Sequence, residues 1–271
     1  MLSGQARLFQ AVRAGELLGL LPETVHAVFA RHVAAKAPSS TALWCAETGE
    51  WALGGTLAGL PEVPDLWALV RHPVRLAALA EELGQREAND GVALVQPFSE
   101  LIVRAPATDR HYVRTEPRAG DPGAQGVRPL CLEDFDRQVL HDEISALLGR
   151  PQLLIEDFGG LSQFMVCEVG GMVVAVADAV VQHGRHAAIQ QVYTAQAFRR
   201  RGIASALVAR LGDQITAQGR VALYVCDASN RASSATAERA GFNFAASLPC
   251  FPSGRLTAQP PGWESSDSSK R

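Results

Sequence analysis

One stretch restricts the fold of this chain more than any other: Ala187 to Ala204, AAIQQVYTAQAFRRRGIA. A β-prone apolar run passes straight into three consecutive arginines, then Gly202, then a helix. That helix carries Ile203, Leu207, Leu211 and Ile215 along one side, and Gly219 closes it. The first N–H groups of a helix lack intrahelical partners and sit at the positive end of its dipole, so they form a ready anion site. Gly202 lets a ligand approach the backbone, and Arg199, Arg200 and Arg201 add charge suited to a pyrophosphate. The plainer alternative is a solvated basic turn that caps a helix. A nucleotide-binding loop would prefer GxxxxGK[ST], and that sequence does not occur.

The chain divides at Pro117 to Gly126, PRAGDPGAQG, where Gly and Pro cluster and no apolar period survives. Four segments are expected: an α+β domain over 1–116, a linker over 117–126, a second domain over 127–253 and a flexible tail over 254–271. In the first domain the apolar spacing predicts helix over 5–36, broken at Leu21-Pro22. A hairpin is expected from Thr41–Cys45 and Trp51–Leu57 around Glu47-Thr48-Gly49. A helix is expected over Asp65–Leu83, and strands over Val92–Val95 and His111–Thr115. In the second domain the pattern predicts a strand over Gly126–Leu130 and a helix over Glu133–Leu148. Strands Phe164–Val169 and Met172–Val181 should be joined by the tight turn Gly170-Gly171. A strand over Ala187–Thr194 leads to the helix over Gly202–Gln218. A further strand, Val221–Cys226, precedes a helix that Asn230 caps and Gly241 ends.

Composition sets outer limits. Among 271 residues, 47% are hydrophobic and 20% charged, enough apolar material for a core. The net charge of −3 gives no basic field for nucleic acid or an anionic membrane. No apolar run approaches the ~18 residues of a membrane span. Cys45, Cys131, Cys167, Cys226 and Cys250 form no CxxC pair, so no metal site is expected and a reduced, cytoplasmic setting is the simplest reading.

The spacing Arg199-x-x-Gly202-x-Ala204 resembles the R/Q-x-x-G-x-G/A signature of the GNAT N-acetyltransferases. Downstream, VALYVC, then Asn230, then Ala240-Gly241-Phe242 follow that family's order, so the resemblance covers about Gly126 to Phe251. The wording VYT and SALVARL is similar to a two-part subgroup in which a smaller, often degenerate GNAT-like unit comes first; residues 1–116 would be that unit, without a cofactor site. The resemblance implies an α/β fold with a mixed, mostly antiparallel sheet splayed between its fourth strand (ending Val192-Tyr193-Thr194) and its fifth (Val221–Cys226). It further implies acetyl-CoA as co-substrate: pantetheine against Val192, Tyr193 and Thr194, and pyrophosphate on the backbone N–H groups of the loop Arg200 to Ser205, which includes Arg201, Gly202, Ile203 and Ala204, with Arg199 of the signature counted among the cofactor-binding residues. Asn230 and Ser233 would line the cleft. The expected reaction is direct attack of an amine on the thioester.

The sequence departs from the family where proton transfer is usually handled. The position of a general-acid Tyr, seven residues after Asn230, is Ala237, and the two usual positions of a Glu are Ala188 and Val225. Losing a positioned acid or base typically costs 10²–10⁴-fold in rate. Gln190, Cys226, Asp227, Ser234, Thr236, Glu238, His183 and His186 are the substitutes nearby, each with a plainer structural reading. Two functions therefore stand: an N-acetyltransferase acting on a small-molecule or peptide amine, or an acetyl-CoA-binding sensor or interaction module of weak activity. The expected acceptor is an amine of low pKa, since an α-amine (pKa ~7.7–8.0) is already partly neutral near pH 7.4. The resemblance implies that the loop Leu148–Gln163, with Glu156 and Asp157, and the C-terminal strands over Phe244–Phe251 would shape the acceptor side, and a homodimer is an open expectation.

Overall fold

Strand-forming runs and turn glycines alternate along much of the chain, and the elements follow them. The structure is a computed structural model and describes residues 10–21, 23–24, 27–36, 41–45, 50–54, 66–69, 91–94, 107–118, 125–131, 134, 138–148 and 164–252. In chain order the elements are β1 (Gln10–Arg13), α1 (Ala14–Leu18), α2 (Val28–Lys36), β2 (Thr41–Cys45), β3 (Glu50–Gly54), β4 (Leu66–Leu69), β5 (Gly91–Leu94) and β6 (Ala107–Arg114). There follow β7 (Val127–Pro129), α3 (Gln138–Leu148), β8 (Phe164–Val169), β9 (Met172–His183), β10 (His186–Thr194), α4 (Ile203–Ala217), β11 (Val221–Asp227), α5 (Arg231–Arg239) and β12 (Asn243–Pro252).

The chain forms two compact units, one holding residues 1–21, 33–108 and 248–271, the other 22–32 and 109–247. In the first unit the strand order is β1-β2-β3-β4-β5. The expected hairpin is present, with Cys45 opposite Glu50 and Trp44 opposite Trp51; its turn residues lie outside the described residues. Two expectations fail here. Gln10–Arg13 is a strand, paired antiparallel with Thr41–Trp44, and Leu66–Leu69 is a strand between β3 and β5. Short apolar runs such as LWAL satisfy a helical and an extended period equally, and the available strand edges decide the outcome.

The second unit is an α/β domain on a seven-strand mixed sheet, order β12-β6-β11-β10-β9-β8-β7, in which β10 and β11 form a parallel pair. Its other described pairings are antiparallel. The Gly170-Gly171 turn joins β8 to β9 with φ of 61° and 82°, values a side chain would resist. One face of the sheet packs on α4 and α5 through Ala175, Ala177, Ile189, Ala222, Tyr224 and Cys226. The opposite face carries α3, whose Leu140 and Ile144 pack with Phe164, Val166 and Val176. Helix α3 spans Gln138–Leu148; of its expected start, residues 133 and 135–137 lie outside the described residues, and Asp134 is held by both terminal nitrogens of Arg128. The break at 117–126 falls between β6 and β7, within the second unit. Among the described residues no helix is long and apolar enough to cross a membrane.

Candidate functional site

The site arises where β10 leaves β11. The two strands pair in parallel from His186 opposite Val221 to Ile189 opposite Tyr224. Beyond that point β10 stays with β9, ending with Tyr193 opposite Val176 and Thr194 opposite Ala175. Meanwhile β11 continues against β6, with Val225, Cys226 and Asp227 opposite His111, Arg110 and Asp109. A wedge therefore opens between Gln190–Thr194 and Val225–Asp227. Its local cause lies in β10: the register on β9 shifts on both sides of Gln190, and Gln191 adopts φ of 50°. An irregularity of this kind bends a strand and increases its twist, and a non-glycine residue there costs ~1–3 kcal/mol that the surrounding structure must hold.

Two side chains of the wedge carry buried polar atoms. Gln190 Oε1 and Thr194 Oγ1 are buried and have no hydrogen-bond partner among the described residues. A buried polar atom left unmade costs ~1–3 kcal/mol, so such atoms mark a place where a ligand would bond. Val192 packs toward the α4 face and Tyr193 toward the α3 face.

After Thr194 the chain makes one 3₁₀ turn, Gln196–Phe198, and reaches the arginines. Arg199 Nε donates to Thr194 O at 3.0 Å, and Arg201 donates to Ala197 O at 3.0 Å with its guanidinium 5.0 Å from the Phe198 ring centre. Two of the three arginines thus brace the loop they stand on. Arg200 and Gly202 have φ of 63° and 81°, and α4 begins at Ile203 with no side chain capping its first turn. The N–H groups of Ile203, Ala204 and Ser205 thus take no side-chain cap, at the positive end of a 15-residue helix. A Cβ built on Gly202 meets nothing within 4 Å, so the space in front of that turn is open.

On the other side of the wedge, Asn230 Oδ1 accepts from Ser233 N at 3.0 Å and caps α5. Ser233 Oγ lies 2.6 Å from the Tyr224 hydroxyl, and burial above all pushes that phenol up to about 12. All twelve sequence-derived binding residues therefore lie along β10, the arginine loop and first turn of α4, or the start of α5.

Ala188 and Ala237 are wholly buried. Several of the candidate substitutes make local contacts. Asp227 Oδ1 accepts from Ser229 N at 2.6 Å and from the Ser229 hydroxyl, a turn-forming arrangement. Thr236 bonds back to Ala232 O, Cys226 lies 3.5 Å from Ser234 Oγ in the core, and Glu238 is exposed. His183 and His186 stand at the opposite end of β10, their titration lowered mainly by burial. Glu156 and Asp157 lie outside the described residues. Among the described residues no three His, Cys, Asp or Glu side chains are placed to hold a metal ion. Sequence reasoning passed over Asp109 and His111, which the register of β6 brings beside Asp227 and Val225.

The site thus combines a splayed parallel strand pair with an uncapped helix on a glycine–arginine loop. The sequence model of the acetyltransferase (GNAT) family matches residues 131–242, and this segment is a GNAT domain. Two solved structures share the fold over most of both chains. The acetyltransferase of the GNAT family from Colwellia psychrerythraea has 13% identity and a TM-score of 0.58, covering 90% of this chain and 98% of its own. The GCN5-related N-acetyltransferase from Sphaerobacter thermophilus has 16% identity and a TM-score of 0.56, covering 89% and 94%. No curated protein matches the sequence. The family and the fold support acetyl transfer in general.

Proposed function

We propose that the chain is an acetyl-CoA-dependent N-acetyltransferase that passes the acetyl group directly to a small-molecule or peptide amine. The observation that carries this reading is the wedge itself: β10 parts from β11 beyond Ile189 and leaves Gln190 Oε1 and Thr194 Oγ1 buried without partners. An extended amide-bearing arm between the strands would supply those partners, alongside the backbone of Val192 to Thr194. The N–H groups of Arg200 to Ser205 would hold the pyrophosphate, in front of Gly202. Acetyl-CoA supplies the activated acyl carbon; the chain's own contribution is to fix the thioester against the strand and to exclude water from it.

The test is calorimetry with acetyl-CoA on the wild-type chain and on Gly202→Glu. No neighbour crowds a side chain at Gly202, so the substitution acts on the incoming anion through bulk and like charge, besides the strain of φ at 81°. Binding is expected to be lost in the variant with the circular dichroism unchanged. Unchanged affinity removes the assignment. The apolar residues at Ala188, Val225 and Ala237 favour a second reading, an acetyl-CoA-binding module of weak activity. Release of CoA thiol across a panel of amines separates the two.

A further inference from the structure

Resting on the transferase reading, we infer that the proton of the incoming ammonium is taken by Asp109, on β6, one strand beyond the apolar Val225. The first support is the register. Asp109 stands directly opposite Asp227 and His111 directly opposite Val225, on the part of β11 that borders the wedge.

The second support is the direction of the side chains. Tyr112, Tyr224 and Cys226 belong to the core under α4 and α5, and the Tyr112 and Tyr224 hydroxyls reach Glu238 and Ser233 of α5. Side chains alternate along a strand, so Asp109, His111, Val225 and Asp227 share the opposite face, as do Ala188 and Gln190 of β10. The α4 and α5 face of β11 is filled by that core. An amine that reaches the wedge from outside therefore does so over the face that carries the carboxylates.

The two carboxylates differ in what they are free to do. Asp227 is exposed and committed to the Ser229 N–H and hydroxyl. Asp109 is partly buried, and burial first, then the charge of Asp227, pushes its carboxyl up to about 6. A carboxylate of that kind is ionised at pH 7.4 yet holds a proton far better than an ordinary aspartate, which suits a general base. Among the described residues of β6 and β11, the other titratable groups on its face are Asp227 from β11 and His111 from its own strand. Neighbouring β12 contributes none, because residues 243–252 contain no acidic or basic side chain. Arg110 and Arg114 belong by alternation to the other face.

The step balances as follows. The ammonium gives one N–H proton to Asp109, and the neutral amine forms a C–N bond to the acyl carbon. The C–S bond breaks with its electron pair on sulfur. The thiolate takes the second amine proton, and Asp109 returns its proton to solvent.

Asp109→Asn is the test, with CoA release measured for an alkylamine and for an aromatic amine already neutral at pH 7.4. The variant is expected to keep its acetyl-CoA affinity within about twofold. It should lose 10²–10⁴-fold in kcat with the alkylamine and little with the aromatic amine. The acidic limb of kcat/KM near pH 6 should vanish in Asp109→Asn and move to lower pH in Asp227→Asn, which keeps the turn but removes the like charge. An Asp109→Asn chain that turns over alkylamines within threefold of wild type overturns the assignment alone. Equal losses with both amines do so too, as does a loss that follows His111→Gln instead. A wild-type chain that binds acetyl-CoA but acetylates no amine overturns the transferase reading as well.

Discussion

Asn230 illustrates what a single side chain does at the start of a helix. Its Oδ1 takes the Ser233 N–H, which the first turn of α5 otherwise leaves without an acceptor. Asn230→Ala is expected to lower stability by about 1 kcal/mol, and Asn230→Asp or Asn230→Ser to preserve it, as urea unfolding would show. If alanine is neutral, the cap is not what keeps asparagine there. The Asn and Gly positions were legible in the sequence because their demands are local: positive φ at Gly170, Gly184, Gly202, Gly219 and Gly241, and one side-chain oxygen beside one N–H. Gly212 was not legible in this way. It sits inside the apolar stripe of α4 with an ordinary backbone, and a Cβ there would come within 3.0 Å of Arg114 Nη1 and of the Phe242 ring. Only the packed structure shows that the glycine makes room for a guanidinium. Asp109 is the same case: its chemistry depends on Asp227, which lies far away in sequence and across a strand pair.

At the scale of elements, the strands of 164–194, β11, α4 and α5 follow their apolar periods closely, because each is long enough for period 2 and period 3.6 to differ. The failures, Gln10–Arg13 and Leu66–Leu69, are four-residue strands whose pairing partners decide their form. Strand β6 was expected to begin at His111 and to belong with the first segment; it begins at Ala107, and from Asp109 onward it pairs with β11. What anchors it is Arg114, 4% exposed, which donates to Ala209 O at 3.2 Å, Ala240 O at 3.0 Å and Glu116 O at 2.9 Å and pairs with Asp213. One residue thus ties β6 to α4 and to the end of α5. Asp213→Ala would leave a buried guanidinium short of its counter-ion and Arg118 N without its acceptor. Breaking a buried pair by removing one partner costs ~3–5 kcal/mol, and the 26% exposure of Asp213 places this one near the lower end. Urea unfolding at pH 7.5 is the measurement, with Asp213→Asn expected to lose less because it keeps an acceptor. A loss below about 1 kcal/mol would mean that the three carbonyls alone hold Arg114.

Across the molecule, two carboxyls bend the pH dependence of stability in opposite directions. Asp134 is held well below the usual carboxylate range, first by its hydrogen bonds from Arg128. The folded state therefore prefers that carboxylate ionised, and the resulting stability is present above the unfolded value near 3.8 and lost as pH falls below it. Asp109 has the opposite sign. Its folded value of about 6 exceeds the unfolded 3.8, so between these limits the folded chain holds more protons than the unfolded chain, and stability falls as pH rises. The full cost is reached above pH 6, and at ~1.36 kcal/mol per pKa unit it is of order 2 kcal/mol after allowance for partial solvation. Placing a proton acceptor on β6 would therefore make the fold weaker at working pH, the exchange expected where a group is kept for chemistry and not for packing. Asp109→Asn removes this term without changing shape. The variant should match wild type near pH 4 and gain on it steadily from pH 4 to 6. Above pH 6 it should stay more stable by a constant margin, while the steep loss below pH 3.8, which belongs to Asp134, remains in both. Urea unfolding at pH 3, 4, 5, 6 and 7.5 would trace the two curves. Parallel curves through this range would show that Asp109 titrates as an ordinary surface aspartate, and the raised basicity assigned to it would fall.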